Sequence, residues 1–495
     1  MSGAEQDSKT DPADRLAARI DHWIENGWKK NKVAPAPSAD DAEFMRRVYL
    51  DLSGRIPSVS EARQFLKDKN PEKRRALVEN LLQGPGYLRH FTNVWRRVYL
   101  PELQTTPQFG LVTAGFDTWL REQLVRNAPY DQTVRELLTG SLTGDPRGSS
   151  ATQLFVQVKE QKPENIAAGV SRSLLGVRLE CAQCHNHPFA KWKQEEFWGF
   201  AAFFQELQPG TEKNTSAKAE LTIPGKNKVV EARYLESDQG VKAGGTSARV
   251  QVADWIVSRQ NRFFARATVN RVWGTMFGKG IVDPVDDFDE ANPPSHPELL
   301  DELASAFAEQ GFDLKFLLRA ITRSRTYQVS SLQTDPSQEN LRLFGRMGTR
   351  PLSVDQLFDA LSQATGYYEP FVEENNFGME TPRMKIRQLF QNESATGEAQ
   401  TSILQALALM NGEFVTDATD LEKSRTLAGI VESPFLSPSE KIEACYLATL
   451  SRLPREQEQT FLLKSVEQAN EATRKAVYTD LFWALLNSSE FVLQH

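Results

Sequence analysis

Two of the three cysteines and two of the six histidines of this 495-residue chain fall within seven positions, Cys181-Ala182-Gln183-Cys184-His185-Asn186-His187. A Cys-x-x-Cys-His run is the attachment pattern of c-type haem, in which two thiols become thioethers to the porphyrin and the adjacent imidazole binds the iron. Positions i, i+3 and i+4 share one face of a helical turn, so both sulfurs and the imidazole can address one macrocycle. Covalent haem c is the cofactor this spacing predicts, with Cys181 and Cys184 as attachment points and His185 as the iron ligand. His187 is too close in sequence to reach the opposite face of the iron, and is expected to orient the site or meet a propionate. Arg178, just upstream, offers a guanidinium to a propionate. His90, His296 and Met276 are the candidates for a sixth ligand, and no spacing singles one of them out.

The same donors allow a second chemistry. Cys181, Cys184, His185 and His187 could gather around zinc or another thiophilic ion. Adjacent Cys184 and His185 would strain a closed tetrahedral site, so this reading calls for ligands from elsewhere in the chain. A third reading is a scaffold or binding protein of an exported complex or polysaccharide system, in which the two cysteines carry no cofactor.

The elements that must position the motif are helical. Pro163 to Gly176 predicts a helix leading into it, with proline near the start, Ile166, Val170 and Leu174 in register, and glycine at the end. A following helix is predicted from Gln194 to about Leu207. Between 189 and 204 lie seven aromatic residues in sixteen positions, Phe189 and Trp192 first among them, against 9% for the chain. So dense a cluster is expected to wall one side of an apolar ligand, and Phe189 and Trp192 are taken as haem-contacting residues.

Upstream, the spacing predicts a helix over 14–30, a resumption over 41–52 after the Pro/Ala/Ser stretch 33–40, and helices over 60–68, 71–83 and 86–98, with Ser58 and Glu61 as a capping box. Residues 115–139 read as helix interrupted at 129–130, 145–150 as a turn-rich loop, and 153–158 as a short extended piece. Arg-Arg-Val-Tyr-Leu occurs at both 46–50 and 96–100, but a single match without a period is coincidence. Residues 208–250, rich in Gly, Lys, Thr and Ser, read as a β-hairpin-like connector. Beyond it, helices are expected over 252–258, 263–277, 351–364, 401–411, 438–449 and 456–488. Ser295 is expected to cap a helix beginning near Pro297, and Asp313 the next. The acidic run Asp283 to Glu290 could hold calcium, but it lacks the ligand spacing of a calcium loop and reads as structural. The segments through Tyr367-Tyr368-Glu369-Pro370 and Thr396-Gly397-Glu398 read as surface connections.

The fold class is thus mainly α: a polar leader and first helix (1–40), a helical domain carrying the motif (41–207), the connector (208–250) and a second helical domain (251–495). A formal charge of −7, with Lys and Arg scattered, excludes a nucleic-acid partner held by phosphate contacts. No apolar run approaches the roughly 20 residues of a membrane span. Met1 to Asp14 has no apolar h-region, whereas haem c attachment requires export, so a start that replaces a removed signal is expected. Cys445 is expected to be a buried, inert thiol. No phosphate loop, hydrolase elbow or zinc-protease motif occurs, so redox activity would follow only from bound haem. The expected partner is a redox or exported protein that the sequence does not identify.

The chain resembles the planctomycete cytochrome c-like proteins that pair the domains of unknown function 1549 and 1553. The resemblance rests on Phe44-Met-Arg-Arg-Val-Tyr-Leu-Asp-Leu-Ser-Gly-Arg-Ile-Pro57 and on Leu175 through Phe189. In the second half it rests on Asn270-Arg-Val-Trp273, Phe277 to Pro284, Asn292 to Leu300, and Ala484 to Phe491. It implies a secreted or periplasmic protein with a cytochrome-like motif and no assigned reaction. The chain departs from the pattern at Val94-Trp95, where relatives often carry His-Trp.

Overall fold

Side-chain caps and left-handed stops set where many of the helices begin and end. The computed structural model describes residues 11–104, 113–142, 151–208, 219–237, 246–368, 381–390 and 412–495, and these are mainly helical. Asp11 caps Pro12–Asn31 by accepting from the Ala13 N–H, and Asp40 caps Asp41–Ser53 by accepting from Glu43. Ser58 and Glu61 form the expected capping box at the head of Val59–Lys67, each side chain accepting from the other's backbone N–H. Lys73–Gln83 and Pro85–Tyr99 follow. The leading residues 1–10, the loop 145–150, the segment 396–398 and the helix expected over 401–411 lie outside the described residues.

Several expectations need correction. Residues 153–158 are not extended: Ala151–Gln157 is a helix, because Leu154, Phe155 and Val156 are all buried between Thr113–Val125 and Tyr130–Thr139, and tertiary burial overrides the β-like run. The helix expected over 456–488 breaks at Ala469, where Asn470 caps a new one by accepting from Thr473. Ser295 does not cap Pro297–Glu309. His296 holds that position, and the Ser295 hydroxyl donates instead to the Ile281 carbonyl at 3.2 Å. In the connector, Glu220–Ile223 pairs antiparallel with Lys228–Glu231, as the turn chemistry predicts. A second small pair, Arg350–Pro351 with Leu493–Gln494, was not legible in the sequence.

The chain divides into two compact units that do not run in sequence order. The first comprises 1–35, 91–327 and 335–345; the second comprises 36–90, 328–334 and 346–495. In the first, Phe264–Phe277 buries Val269, Val272, Trp273 and Met276, and Trp273 stacks on Phe277 at 4.2 Å. That helix packs against Pro297–Glu309 and against the turn Ser171–Leu175 that leads to the cysteines.

The second unit is built on Leu50, Ile56, Phe358, Leu361, Ile442, Cys445, Phe482 and Phe491. Arg46 crosses this core fully buried, donating to the carbonyls of Thr449 (2.9 Å), Phe491 (2.8 Å) and Glu490 (3.2 Å). The second Arg-Arg-Val-Tyr-Leu run behaves differently, since Arg96 pairs with Asp117 on a partly buried helix face. The shared pentapeptide therefore marks no repeat.

Candidate functional site: the cysteine turn

The approach to the motif begins as the helix Pro163–Val170 and widens into a single π turn, Ser171–Leu175, stopped by Gly176 at φ 70°. Glycine is required there twice over. The left-handed conformation disfavours a side chain, and a Cβ would come within 2.7 Å of the Phe288 ring. Phe288 in turn donates its N–H to the Gly176 carbonyl at 2.9 Å, tying the acidic 283–290 loop to the chain entering the motif.

Glu180–Gln183 then form a 3-10 turn. With three residues per turn, positions i and i+3 eclipse, which explains why Cys181 and Cys184 are both exposed while Ala182 between them is fully buried. The turn is held from behind by the next helix, Gln194–Ala202. Gln194 donates from Nε2 to the carbonyls of Gln183 (3.1 Å) and Cys184 (2.9 Å), and the Trp198 indole donates to Gln183 at 3.0 Å. Asn186 reaches back to accept from the Gln194 N–H at 3.0 Å.

The two histidines of the motif differ in tautomer. His185 Nδ1 lies 2.7 Å from the Asn186 carbonyl, which can only accept, so Nδ1 carries the proton and Nε2 presents a bare lone pair. His187 is the reverse: its Nδ1 accepts from the N–H groups of Phe189 (3.2 Å) and Ala190 (2.8 Å), so in the neutral ring the proton sits on Nε2. His187 therefore shapes the 187–190 turn, while the exposed His185 has no hydrogen-bond partner at Nε2 among the described residues.

The remaining predicted residues are distributed as follows. Arg178 is committed to Asp286, with Nε and a terminal nitrogen at 3.1 and 2.6 Å from one carboxylate oxygen, while Arg172 holds the other oxygen at 2.5 Å. These two guanidiniums and its own burial act in opposite directions on Asp286, and the pairing wins, holding its carboxyl below the usual range. Phe189 stands 88% exposed at the tip of the loop, and Trp192 is buried under Lys191.

The expected aromatic wall is a correction. Phe197, Trp198, Phe200, Phe203 and Phe204 turn inward as core, with Phe203 stacked on Tyr234 and Tyr234 on Trp255, each at 5.0 Å. Helical spacing cannot distinguish a ring that faces a ligand from one that faces the connector.

Among the sixth-ligand candidates, His90 is buried against Gly54, His296 is buried against Gly27, and Met276 is fully buried in its helix. Burial lowers the His296 pKa to about 4. Among the described residues, no three His, Cys, Asp or Glu side chains converge as metal ligands. The 283–290 loop is structural, its Asp286 neutralised by arginines rather than free for calcium.

A charged cleft of about 630 Å³ was not foreseen from the sequence. It is lined by Glu102, Lys159, Arg172, Glu180, Arg271 and Asp286 among others, all within the first unit. Its only sequence signal is Arg271, within the Asn270-Arg-Val-Trp273 run.

Comparison with known families places PSCyt2, a protein of unknown function (DUF1549), over residues 19–209, and PSD1, a protein of unknown function (DUF1553), over 248–399. The chain thus carries both domains that the resemblance named. No curated protein and no solved structure matches it.

Proposed function

We propose that this chain, carrying the PSCyt2 and PSD1 domains, is an exported c-type haem protein serving electron transfer or a redox accessory role, with Cys181 and Cys184 as thioether donors and His185 as the iron ligand. The observation that carries this reading is the 2.7 Å contact of His185 Nδ1 with the Asn186 carbonyl, which in the neutral ring leaves Nε2 as the unprotonated nitrogen of an exposed imidazole in the same turn as two exposed thiols. An anchored Nδ1–H is the arrangement that fixes ring orientation and raises ligand basicity in metal-binding histidines. The donor set therefore fits haem c, although no apolar pocket built by the 197–204 aromatics surrounds it.

Bound haem would supply one-electron exchange at its iron. The chain's own part is to present the ligands. Gln194 and Trp198 hold the Gln183 and Cys184 carbonyls, so the eclipsed thiols stay on one side. Cys181 and Cys184 would hold the macrocycle as its two thioether donors, and His185 would hold its iron. His187, with its ring nitrogen occupied by two N–H groups, keeps the loop shape and is not a ligand.

An extracytoplasmic location belongs to the same reading, because haem c attachment takes place outside the cytoplasm. Among the described residues, no helix is long and apolar enough to cross a membrane. Expression behind an export signal with haem-maturation machinery tests the assignment: a Soret band and the covalent mass of one haem are expected. An unmodified mass with stoichiometric zinc would instead support the Cys/His zinc site.

A further inference from the structure

The cleft beside the Ser171–Leu175 turn is built from both family domains within one unit, and its charges are unevenly matched. Lys159, almost wholly buried, pairs with Glu102 at 3.1 Å. Arg172 pairs with Asp286, which Arg178 also holds, and Glu160 is held by Lys162. Arg271 differs. It is half-buried, its one hydrogen bond goes to the Arg172 carbonyl at 3.2 Å, and among the described residues it pairs with no carboxylate. The buried hydroxyls of Tyr99 and Tyr130 lie close enough to feel its charge. Asp286 acts on this guanidinium only through space, without a hydrogen bond, so most of its N–H donors remain for an anion to accept from.

The neutral polar groups on the same wall define the rest of the ligand. Ser173 already donates its hydroxyl to the Gly169 carbonyl (2.6 Å), and Thr275 donates to Arg271 (2.9 Å). Asn165 donates to the Lys159 carbonyl at 3.3 Å. What remains on these groups, and on the Glu180 carboxyl, is mainly acceptor capacity. A ligand completing the wall must donate hydrogen bonds there while offering one anionic group to Arg271. The lining carboxylates would repel a polyanion, and a planar carboxylate matches the guanidinium fork. The volume lies within the range of small-molecule sites.

We propose that this cleft binds a small polyhydroxylated monocarboxylate, such as a sugar acid, with Arg271 taking the carboxylate and Asn165, Ser173, Thr275 and Glu180 accepting from its hydroxyls. The site does not depend on the haem reading, and its test needs no haem.

Calorimetric titration of the full chain with gluconate, sorbitol and inorganic sulfate separates the cases. Gluconate is expected to bind at millimolar concentration or below. Sorbitol, the same body without the carboxylate, and sulfate, an anion without the hydroxyls, are each expected to bind at least about tenfold more weakly. Arg271→Gln should weaken gluconate at least about tenfold, and Arg271→Lys, which keeps the charge but loses the fork, by a smaller factor. Arg262→Gln, outside the cleft, should change affinity by less than about twofold. Unfolding of the glutamine variant would leave the lysine variant as the deciding one. Absence of gluconate binding, equal binding of sulfate, or indifference to both Arg271 substitutions would overturn the proposal.

Discussion

The chain places the same two residue types in opposite surroundings. In the turn 180–190, two thiols and one imidazole are exposed and the backbone behind them is pinned. Cys445 is fully buried among Ile442, Tyr478 and Phe482 in the second unit, and His296 is buried in the first. Burial alone pushes the Cys445 thiol up to about 12; burial, with a smaller push from Arg342 that opposes Glu298, brings the His296 imidazole down to about 4. Desolvation drives each buried group to its neutral, unreactive form, the thiol by raising its pKa and the imidazole by lowering it. Exposure on a rigid turn, rather than residue type, is what leaves the 181–185 donors available for chemistry.

Thiol reactivity should split most widely. At pH 8 a thiol with a pKa of about 12 is ionised to about one part in ten thousand, and Cys445 is also shielded. In the unloaded native chain, a maleimide should label Cys181 and Cys184 at least about a thousandfold faster than Cys445, as read by peptide mass spectrometry. Comparable rates at all three would erase the contrast.

The imidazole contrast is read in pH. His296 is neutral in the folded chain down to about pH 4, whereas unfolded histidine takes up its proton below about 6.5. Between these values the unfolded state binds the additional proton. Stability is therefore full above pH 6.5 and falls as the pH drops to 4, by about 3 kcal/mol. His296→Gln should flatten that part of a denaturant-midpoint profile, and an unchanged slope would contradict the assignment.

Smaller effects probe the pinning of the turn. Gln194→Ala removes two hydrogen bonds to the Gln183 and Cys184 carbonyls and should cost about 1–2 kcal/mol in a urea melt, with faster amide exchange over 183–187. Loss of stability without faster exchange there would mean that Trp198 alone holds the turn. Cys445→Ala should cost about 1 kcal/mol as a small cavity and leave haem loading unchanged; lost loading would tie the buried thiol to the site.

Much of this contrast was legible in the sequence. The spacing of the cysteines, the leading helix with its terminal glycine, and the buried character of Cys445 follow from local periodicity and composition. So do the mainly helical class and the connector hairpin. The direction of the aromatic residues after 189 was not legible, because the rings meet Tyr234 and Trp255, which lie well beyond the helix itself. The same limit hid the commitment of Arg178 to Asp286, more than a hundred residues away, and the cleft around Arg271. Nor could any local pattern show that 36–90 joins 346–495 in one unit. Sequence spacing reports what one turn of chain can present; which face is covered depends on distant partners.

The most direct test of the central claim is the intact mass and optical spectrum of the protein exported under haem-maturation conditions, alongside Cys181→Ser and Cys184→Ser variants. One covalent haem and a Soret band are expected in the parent, and loss of two-point attachment in each variant. A parent of unmodified mass, with no Soret band, would contradict it.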